Sequence, residues 1–409
     1  MSTTPAGPAP LRVAMIGHGF MGAAHSQAWR VAPHFFDLPR RPVMAVLVGR
    51  DEHRAEAAAA RLGWAEVATD WRTVVERDDV DLVDIVTPGN VHPQVAVAAL
   101  AAGKHVLCEK PLANSVADAE RMAEAARAAA GSGALAMVGF SYRRVPALAL
   151  ARQLIADGLV GQIRQVRAQY LQDWLSDAQA PMTWRLDRDA AGSGALGDIG
   201  AHAVDVAQYL TGQQVQGVNA LLHTFVGERP LMGESRGLSG AAGTGTGRVT
   251  VDDAALFTAR LSGGVIASFE ATRFATGRKN ALRVEVSGSK GAVAFDLEDM
   301  NVLNVYDNRD PAGRQGFRRI QVTEPEHPWM RAWWPAGHAI GYEHTFTHEV
   351  ADLITDITAG SQPRPSFADG LQVQRVLDAA ERSATDRGAW VQVDGAVGPT
   401  DADGEEEVR

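Results

Sequence analysis

The chain has 409 residues, of which 46% are hydrophobic and 22% charged, a size and composition typical of a globular protein with two domains. Its formal net charge of −10 argues against a nucleic acid or an anionic membrane as partner, because both bind basic surfaces. Cys108 is the single cysteine, so a disulfide framework is excluded and a reducing, cytoplasmic location is favoured. The apolar runs are short, and we therefore expect no signal peptide and no membrane span.

Strand-like and helix-like segments alternate over the first 140 residues. Short apolar runs ending near glycine or proline predict buried parallel strands at 11–16, 43–49, 82–88, 105–111 and 135–142. The segments between them predict helices at 23–32, 52–63, 92–103 and 117–131. This alternation predicts a doubly wound α/β domain over residues 11–145.

The pattern changes near residue 145. A helix over 146–161 is followed by longer alternating segments, which predict an antiparallel sheet with a hairpin turn at 288–291. Helices are expected again at about 344–359 and 369–387, whereas the glycine-rich segment Gly227–Arg248 predicts a flexible loop between strands. We therefore predict a second domain over residues 146–395, a flexible start at 1–10 and a disordered acidic tail at 396–409.

The segment Gly17-His18-Gly19-Phe20-Met21-Gly22 fits the dinucleotide-binding pattern G-x-G-x-x-G. It follows the first strand and opens the first helix, which is the context that this motif requires. Gly17 permits the tight turn, Gly19 lets the backbone approach a pyrophosphate, and Gly22 allows close helix–strand packing. The pyrophosphate would then bind the free N–H groups at the helix N-terminus, and His18 and His25 are expected only to pack nearby.

The second strand ends in Val48-Gly49-Arg50-Asp51, which bears on the choice of cofactor. An acid at this position hydrogen-bonds the ribose of NAD, whereas an arginine accommodates the 2′-phosphate of NADP. Both residue types are present, and Arg50 can equally stack on an adenine face. We expect NAD, with NADP as the alternative.

At Cys108-Glu109-Lys110-Pro111 the chain resembles the glucose–fructose oxidoreductase/inositol dehydrogenase (Gfo/Idh/MocA) family. The matching segments occur in family order: GHGFMG (17–22), TPGNVH (87–92), EKP (109–111), FSYRR (140–144) and AGSGALGDIGAHAVDVAQYLTG (191–212). The resemblance implies a Rossmann domain followed by an α+β domain with a large, mostly antiparallel open sheet. Because this sheet often pairs subunits in the family, we expect a homodimer or homotetramer. The resemblance also implies NAD(P)-linked oxidation or reduction of sugars and cyclitols.

The resemblance assigns roles to individual positions. It places Lys110 beside the nicotinamide and makes Asp198 and His202 the rest of the catalytic group. It carries cofactor contacts to the strand-end turn, at Thr87, Pro88, Asn90 and His92. The other expected cofactor contacts come from the glycine motif and the end of the second strand, namely Gly17, Gly19, Phe20, Met21 and Gly22, with Arg50 and Asp51 at the ribose. Glu109 is expected to brace the loop or to contact the cofactor ribose.

The chemistry of oxidising a secondary alcohol indicates roles for the same catalytic residues. Loss of a hydride requires loss of the hydroxyl proton, and histidine is the side chain best suited to accept it near neutral pH. We therefore expect His202 to act as base, Lys110 to hold and polarise the oxygen, and Asp198 to orient the histidine or the substrate. The alternatives are an Asp198 that only caps a helix and a His202 that only packs. Asp205 is expected to be a supporting charge, and no metal-binding set is expected.

Aromatic residues indicate where a carbohydrate ring would bind. Residues 328–346 hold a tryptophan cluster followed by His338 and Tyr342, and aromatic faces suit the apolar side of a pyranose. The expected substrate contacts are Tyr142, Arg143, Trp174, Trp334, His338 and Tyr342 together with the catalytic group, while Trp184 and Arg185 are expected at the cofactor. The alternative is that these tryptophans belong to the core.

The resulting hypothesis is an NAD(P)-dependent dehydrogenase that oxidises a sugar, anhydrosugar, glycoside or inositol. One alternative is an NAD-dependent glycosidase that oxidises the sugar transiently and then eliminates the bond. A second alternative is a non-catalytic sugar- or cofactor-sensing protein, which the presence of both Lys110 and His202 disfavours.

Overall fold

The computed structural model describes residues 9–236 and 239–395. Six parallel strands form the first sheet, in the order β3-β2-β1-β4-β5-β6: β1 (Leu11–Ile16), β2 (Pro42–Val48), β3 (Glu66–Ala68), β4 (Leu82–Ile85), β5 (His105–Glu109) and β6 (Ala136–Gly139). The helices of this part are α1 (Phe20–Phe35), α2 (Glu52–Leu62), α3 (Trp71–Val75), α4 (His92–Ala101) and α5 (Val116–Ala130). The strand order reverses between β1 and β4, so a ligand crevice lies at their carboxyl ends.

The second sheet has nine strands in the order β16-β15-β14-β13-β7-β12-β11-β8-β17. Its neighbouring strands are antiparallel except for β7 and β12, which pair in parallel. The strands after β6 are β7 (Ile163–Leu171), β8 (Val215–His223), β9 (Glu228–Arg236), β10 (Ser239–Arg248), β11 (Ala254–Leu261), β12 (Ile266–Thr272), β13 (Ala281–Gly288), β14 (Gly291–Asp296), β15 (Val302–Asp307), β16 (Arg318–Gln321) and β17 (Val391–Gln392). The predicted fold class, a parallel Rossmann sheet followed by a large, mostly antiparallel sheet, is confirmed.

Five helices of the described part follow β6. They are α6 (Pro146–Ala156), α7 (Arg188–Ala191), α8 (Ala201–Thr211), α9 (Tyr342–Ala359) and α10 (Phe367–Thr385). Of these, α6, α8 and α10 pack on the second sheet and cover one of its faces. A π-helical turn, Leu196–Gly200, leads into α8, and 3₁₀ turns occupy Ser141–Arg144, Trp184–Leu186, Leu297–Asp299, Ala312–Arg314 and Met330–Ala332. Late in the chain, α9 packs on α1 and α10 packs on α5, so the carboxyl-terminal helices return to the first domain.

The prediction of a flexible loop over Gly227–Arg248 is wrong. The strands β9 and β10 lie in this segment and form a separate two-stranded antiparallel sheet, in which Glu228 pairs with Arg248. A ladder of this kind uses backbone N–H and C=O groups, so glycine weakens it without preventing it. The backbone N–H of Met182 donates to Pro230 O at 2.7 Å and ties the sheet to the preceding segment.

Three further predictions have different outcomes. The flexible ends, 1–10 and 396–409, lie outside the described residues except for positions 9 and 10. The domain boundary near residue 145 stays a prediction. Within the part of the chain that the structure describes, the helices are too short or too polar to span a bilayer.

Candidate active site

The glycine loop after β1 has the shape that a pyrophosphate needs. Gly17 has φ +106°, and a Cβ there would lie 3.1 Å from the carbonyl oxygen of Val86. A Cβ at Gly22 would lie 3.0 Å from the oxygen of Gly17, so α1 can approach β1 only with glycine at this position. Among the residues that the structure describes, no side chain caps α1 at Gly19. The loop therefore fits the pyrophosphate of a dinucleotide, which would bind the free N–H groups of this helix end.

The end of β2 is where the adenosine ribose would bind in such a fold. Asp51 caps α2, because its Oδ1 accepts the backbone N–H of Arg54 at 3.0 Å. Arg50 is exposed beside it. The ring of His18 covers Gly49, where a Cβ would lie 2.6 Å from its Cδ2 atom. Both candidate ribose contacts are thus present at the predicted edge of the sheet.

The turn after β4 also borders the cofactor crevice. His92 is buried, and its two ring nitrogens lie 2.8 Å from Thr87 O and 3.1 Å from Pro111 O. This side chain therefore joins the turn to the loop after β5 rather than pointing at a ligand. Thr87 Oγ1 is buried and has no hydrogen-bond partner among the described residues, so it can serve a cofactor. Pro88 is half-buried and Asn90 is exposed on the same turn.

A chain of buried charged groups supports the loop that carries Lys110. Glu109 Oε2 accepts the backbone N–H of Lys110 at 3.1 Å, and its Oε1 lies 3.1 Å from His25 Nε2. His25 Nδ1 lies 3.0 Å from both oxygens of Asp84. Burial alone would lower the pKa of His25, but Asp84 and Glu109 raise it well above its usual value. Glu109 therefore braces the lysine loop together with a charged His25.

Lys110, Asp198 and His202 come together where the two domains meet. Lys110 Nζ donates to the backbone oxygen of Asp198 at 2.6 Å and lies 3.4 Å from its Oδ1. Asp198 and His202 lie one helical turn apart, because the π-helical turn continues directly into α8. The three predicted catalytic side chains therefore face one site.

The alternative that Asp198 is only a helix N-cap is wrong. The helical turn already begins at Leu196, so Asp198 lies inside it. The capping carboxylate belongs to Asp252, which accepts the backbone N–H groups of Gly194 at 2.7 Å and Leu196 at 2.8 Å. The side chain of Asp198 is consequently available for the site.

Both acid–base groups of the site have lowered pKa values, for different physical reasons. Burial would raise the pKa of Asp198, but the positive charges of Lys110, Arg185 and Arg273 lower it to about 2. Burial lowers the pKa of His202 well below its usual value, and Lys110 lowers it further. Asp198 is therefore an anion and His202 a neutral imidazole at neutral pH. Its Nδ1 is buried without a hydrogen-bond partner within the described ranges.

Three tyrosines line the site around His202. The ring of Tyr142 lies 4.5 Å from that of His202, and its hydroxyl lies 2.6 Å from the hydroxyl of Tyr170. Burial raises the pKa of Tyr142 to about 12. Tyr342 lies 6.2 Å from Tyr142 and 6.4 Å from Phe20, and thus connects the site to the glycine loop.

Arg143 does not reach the site as predicted. Its guanidinium donates to Asp205 through Nε at 2.9 Å and through the terminal nitrogen at 2.6 Å, and it lies over the ring of Tyr209. Asp205 follows Asp198 by about two helical turns, or roughly 10 Å. The buried Arg143–Asp205 pair therefore holds α8 in place, which agrees with the supporting role expected for Asp205.

The tryptophan cluster packs around the start of α9 and the end of α1. Trp333 donates to His348 Nε2 at 2.7 Å, and Trp329 stacks on the same ring, so these two half-buried side chains pack against α9. Trp334 is exposed and contacts Phe35 at the end of α1. At 1.5 Å per residue, Phe35 is about 22 Å from Phe20 along α1.

The predicted substrate contacts Trp334 and His338 are therefore not brought to Lys110. His338 is exposed, and its Nδ1 lies 2.8 Å from Pro335 O in its own loop. A local run of aromatic residues does not show which end of α1 it will meet, so the sequence alone does not indicate this position. Among the residues of this segment, Tyr342 alone contacts the aromatic groups around His202 in the described structure.

The segment between β7 and α7 borders the site from the second domain. Trp174 is half-exposed, and the guanidinium of Arg273 lies 5.6 Å from its ring. Arg185 stacks on Trp184 at 4.5 Å and acts electrostatically on Asp198. These residues therefore lie beside Asp198.

Sequence reasoning missed two groups of the site. Arg273 is fully buried, with a terminal nitrogen 3.7 Å from Asp198 Oδ2. Tyr170 carries the hydroxyl chain from Tyr142 to Asn280 Oδ1, which accepts its hydrogen bond at 2.7 Å. A sequence signal for both residues did exist. Side chains alternate between the two faces of a strand, and a charged or hydroxyl-bearing residue at an inward position near a strand end indicates a site residue.

Comparison with known proteins agrees with this site. Residues 11–140 match the model of the oxidoreductase family with an NAD-binding Rossmann fold, and residues 148–294 match the GFO/IDH/MocA C-terminal domain. Levoglucosan dehydrogenase from Pseudarthrobacter phenanthrenivorans is 41% identical over 392 residues, which cover 94% of this chain and 98% of that protein. The chain belongs to the GFO/IDH/MocA oxidoreductase family.

Solved structures show the same relationship. An oxidoreductase domain protein from Kribbella flavida has 60% sequence identity and a TM-score of 0.90, and the match covers 94% of this chain and 99% of that one. The complex of levoglucosan dehydrogenase with NADH and levoglucosan has 40% identity and a TM-score of 0.88, covering 94% and 100%. The predictions of an NAD-dependent oxidoreductase and of NAD as cofactor are therefore confirmed.

Proposed function

We propose that this member of the GFO/IDH/MocA family oxidises a secondary hydroxyl of a sugar, with an anhydrosugar as the leading substrate class. The observation that carries the proposal is the meeting of Lys110, an ionised Asp198 and a neutral His202 at one site beside the dinucleotide crevice. The anhydrosugar is favoured because levoglucosan dehydrogenase is 41% identical over nearly the whole chain.

Bound NAD supplies the acceptor for the hydride of the carbinol carbon. Thr87 Oγ1 and the N–H groups at the start of α1 would hold the cofactor. The hydroxyl proton passes to His202, whose lowered pKa keeps the imidazole neutral and able to accept it. Lys110 donates a hydrogen bond to the same oxygen and stabilises the negative charge that develops on it.

Asp198 has two tasks in this proposal. Its backbone oxygen and its carboxylate hold the ammonium group of Lys110, and its remaining acceptor capacity can bind a second hydroxyl of the sugar. Trp174 and Tyr342 provide aromatic faces near this carboxylate for the apolar side of the ring. The site thus combines a few polar groups with aromatic walls, as carbohydrate and other small-ligand sites do.

A substrate panel tests the proposal. Levoglucosan, other anhydrosugars, free hexoses, glycosides and myo-inositol are each incubated with the enzyme and with NAD or NADP, and the absorbance of the reduced nicotinamide is recorded. We expect NADH formation with levoglucosan or another anhydrosugar, and a higher kcat/KM with NAD than with NADP. Cleavage of a glycoside without net NADH would instead support the NAD-dependent glycosidase. Tight sugar binding with no turnover of any panel member would support a sensor.

We further propose that the open face of the nine-stranded sheet pairs subunits. Leu221, Leu256 and Ile266 are 67%, 50% and 52% exposed on β8, β11 and β12. They lie on the sheet face that the helices leave uncovered, next to a groove of about 810 Å³. Burial of this face in a dimer or tetramer would remove the apolar surface from water. Replacing Leu221 and Leu256 by lysine should yield monomers in sedimentation experiments, whereas unchanged sedimentation would contradict the proposal.

The cytoplasmic location also remains a proposal. It is supported by Cys108, the single cysteine, which is a free and buried thiol at the end of β5. Intracellular reducing conditions keep such thiols free. Fractionation of the native host with an antibody against the chain would test it, and recovery outside the cytoplasm would contradict it.

A further inference from the structure

Arg273 is a buried cation that no part of the proposed mechanism uses directly. It follows β12, and its side chain is 0% exposed. One terminal nitrogen lies 3.7 Å from Asp198 Oδ2, and the other donates to Asp252 O at 3.0 Å. Its Nε is buried without a hydrogen-bond partner in the described part of the chain. An arginine in this environment is expensive to bury, so its position requires an explanation.

We propose that Arg273 is a positioning residue that holds the Asp198 carboxylate against Lys110. The proposal rests on the proposed function, in which Asp198 orients both Lys110 and the sugar. The two oxygens of Asp198 are divided between two cations: Oδ1 lies 3.4 Å from Lys110 Nζ, and Oδ2 faces Arg273. The orientation of this carboxylate is therefore fixed from both sides.

Arg273 also connects Asp198 to the segment that starts its helix. The Asp252 carboxylate accepts the N–H groups of Gly194 and Leu196, while the Asp252 carbonyl accepts from Arg273. One guanidinium group thus contacts both the residue that caps the helix and the catalytic carboxylate, and fixes their relative positions. A lysine has a single ammonium group and cannot reach both acceptors with the same fork geometry.

The charged and titratable groups that face Asp198 come from several elements. They are Lys110 after β5, Arg185 in the 3₁₀ turn, Arg273 after β12, His202 on its own helix, and the phenols of Tyr142, Tyr170 and Tyr342. With Arg273 removed, Lys110 and Arg185 still keep Asp198 ionised, so the main loss is one of orientation. We therefore expect KM for the sugar to rise more than kcat falls.

A double-mutant cycle on kcat/KM tests the proposal. Arg273→Gln, Asp198→Asn and the double variant are compared with the wild-type enzyme, using the sugar that the substrate panel identifies. Arg273→Gln should lower kcat/KM by about 10- to 100-fold, the range of one charge-assisted contact. If Arg273 acts through Asp198, the same substitution should have less than about a threefold effect in the Asp198→Asn background. Additive losses would overturn the proposal.

Arg229 offers a matched control. It is equally buried, but its guanidinium donates to the backbone oxygens of Leu175, Asp177 and Ala180. Arg229→Gln should lower the melting temperature as Arg273→Gln does, yet its loss of kcat/KM should be additive with Asp198→Asn. If the loss of kcat/KM in Arg229→Gln is also non-additive with that of Asp198→Asn, the non-additivity is a general structural effect, and the positioning role proposed for Arg273 is overturned.

Two outcomes separate this proposal from the proposed function. If Asp198→Asn alone keeps the kcat/KM of the wild-type enzyme, the role of Asp198 in catalysis is wrong. If Asp198→Asn is impaired and Arg273→Gln is not, only the positioning role is wrong. Should Arg273→Gln fail to fold, Arg273→Lys is used in the same cycle. The lysine keeps the positive charge, so part of the sugar affinity expressed in KM should be retained. A loss of kcat/KM that is fully additive with that of Asp198→Asn would again contradict the proposal.

Discussion

Glu349 is a carboxyl group buried where α9 packs on the first domain, and it allows a quantitative test of the structure. It is 1% exposed, and its Oε1 has no hydrogen-bond partner among residues 9–236 and 239–395. Burial raises the pKa of Glu349 to about 8, although the positive charges of Arg144 and His25 act in the opposite sense. Glu349 is therefore protonated in the folded protein at neutral pH.

The magnitude follows from the two protonation states. In the unfolded chain the pKa of Glu349 returns to 4.5, so between pH 4.5 and about 8 the unfolded state releases a proton that the folded state keeps. Unfolding therefore becomes more favourable as the pH rises through this window, by at most about 5 kcal/mol at 1.36 kcal/mol per pH unit. Glu349→Gln has nearly the same shape as the neutral acid and does not titrate. We expect the variant to gain about 2–4 kcal/mol relative to the wild-type protein between pH 5 and pH 8.

Urea unfolding followed by tryptophan fluorescence measures this difference. Free energies of unfolding are obtained for the wild-type protein, Glu349→Gln and the exposed control Glu326→Gln at several pH values across the window. The control should follow the wild-type protein at every pH. A constant difference between Glu349→Gln and the wild-type protein would show that Glu349 is ionised in the folded state and would refute the reasoning.

Three further predictions follow from the site. Lys110→Met should lower kcat by about 10²- to 10⁴-fold while NAD binding, measured by fluorescence titration, is unchanged; a loss below tenfold would contradict the role of the lysine. In Gly194→Ala the new Cβ would lie 1.7 Å from Asp252 O, so melting temperature and activity should both fall, whereas Gly227→Ala, with open space around it, should change neither. Trp334→Ala should keep kcat/KM within twofold of the wild-type value, and a larger loss would show that Trp334 contacts the substrate.

Local signals account for the parts of the fold that the sequence predicts. Leu11–Ile16 is apolar except for Arg12 because both faces of β1 are covered, and the glycine loop follows it directly. Gly63 ends α2 in a left-handed conformation, as its position in the sequence predicted. The hairpin turn at 288–291, also predicted from a local glycine pattern, is present, since β13 ends at Gly288 and β14 begins at Gly291.

Contacts between distant segments account for what the sequence did not show. The cap of the helix that carries Asp198 comes from Asp252, 58 residues beyond Gly194, and no local pattern indicates it. Arg273 likewise reaches Asp198 only because β12 ends beside that helix. The pairing of Arg143 with Asp205 is likewise hidden from the sequence, because Asp205 is buried with it and the motif around the arginine does not reveal this partner.

The central claim, that His202 removes the hydroxyl proton while NAD accepts the hydride, is tested most directly by single-turnover NADH formation. Excess enzyme and NAD are mixed with levoglucosan, and wild-type enzyme is compared with His202→Ala, with NAD affinity measured for both. The account predicts one NADH per sugar in the wild-type enzyme and a rate at least about 100-fold lower in the variant at equal NAD affinity. A variant rate within tenfold of wild type would contradict the assignment of His202 as the base.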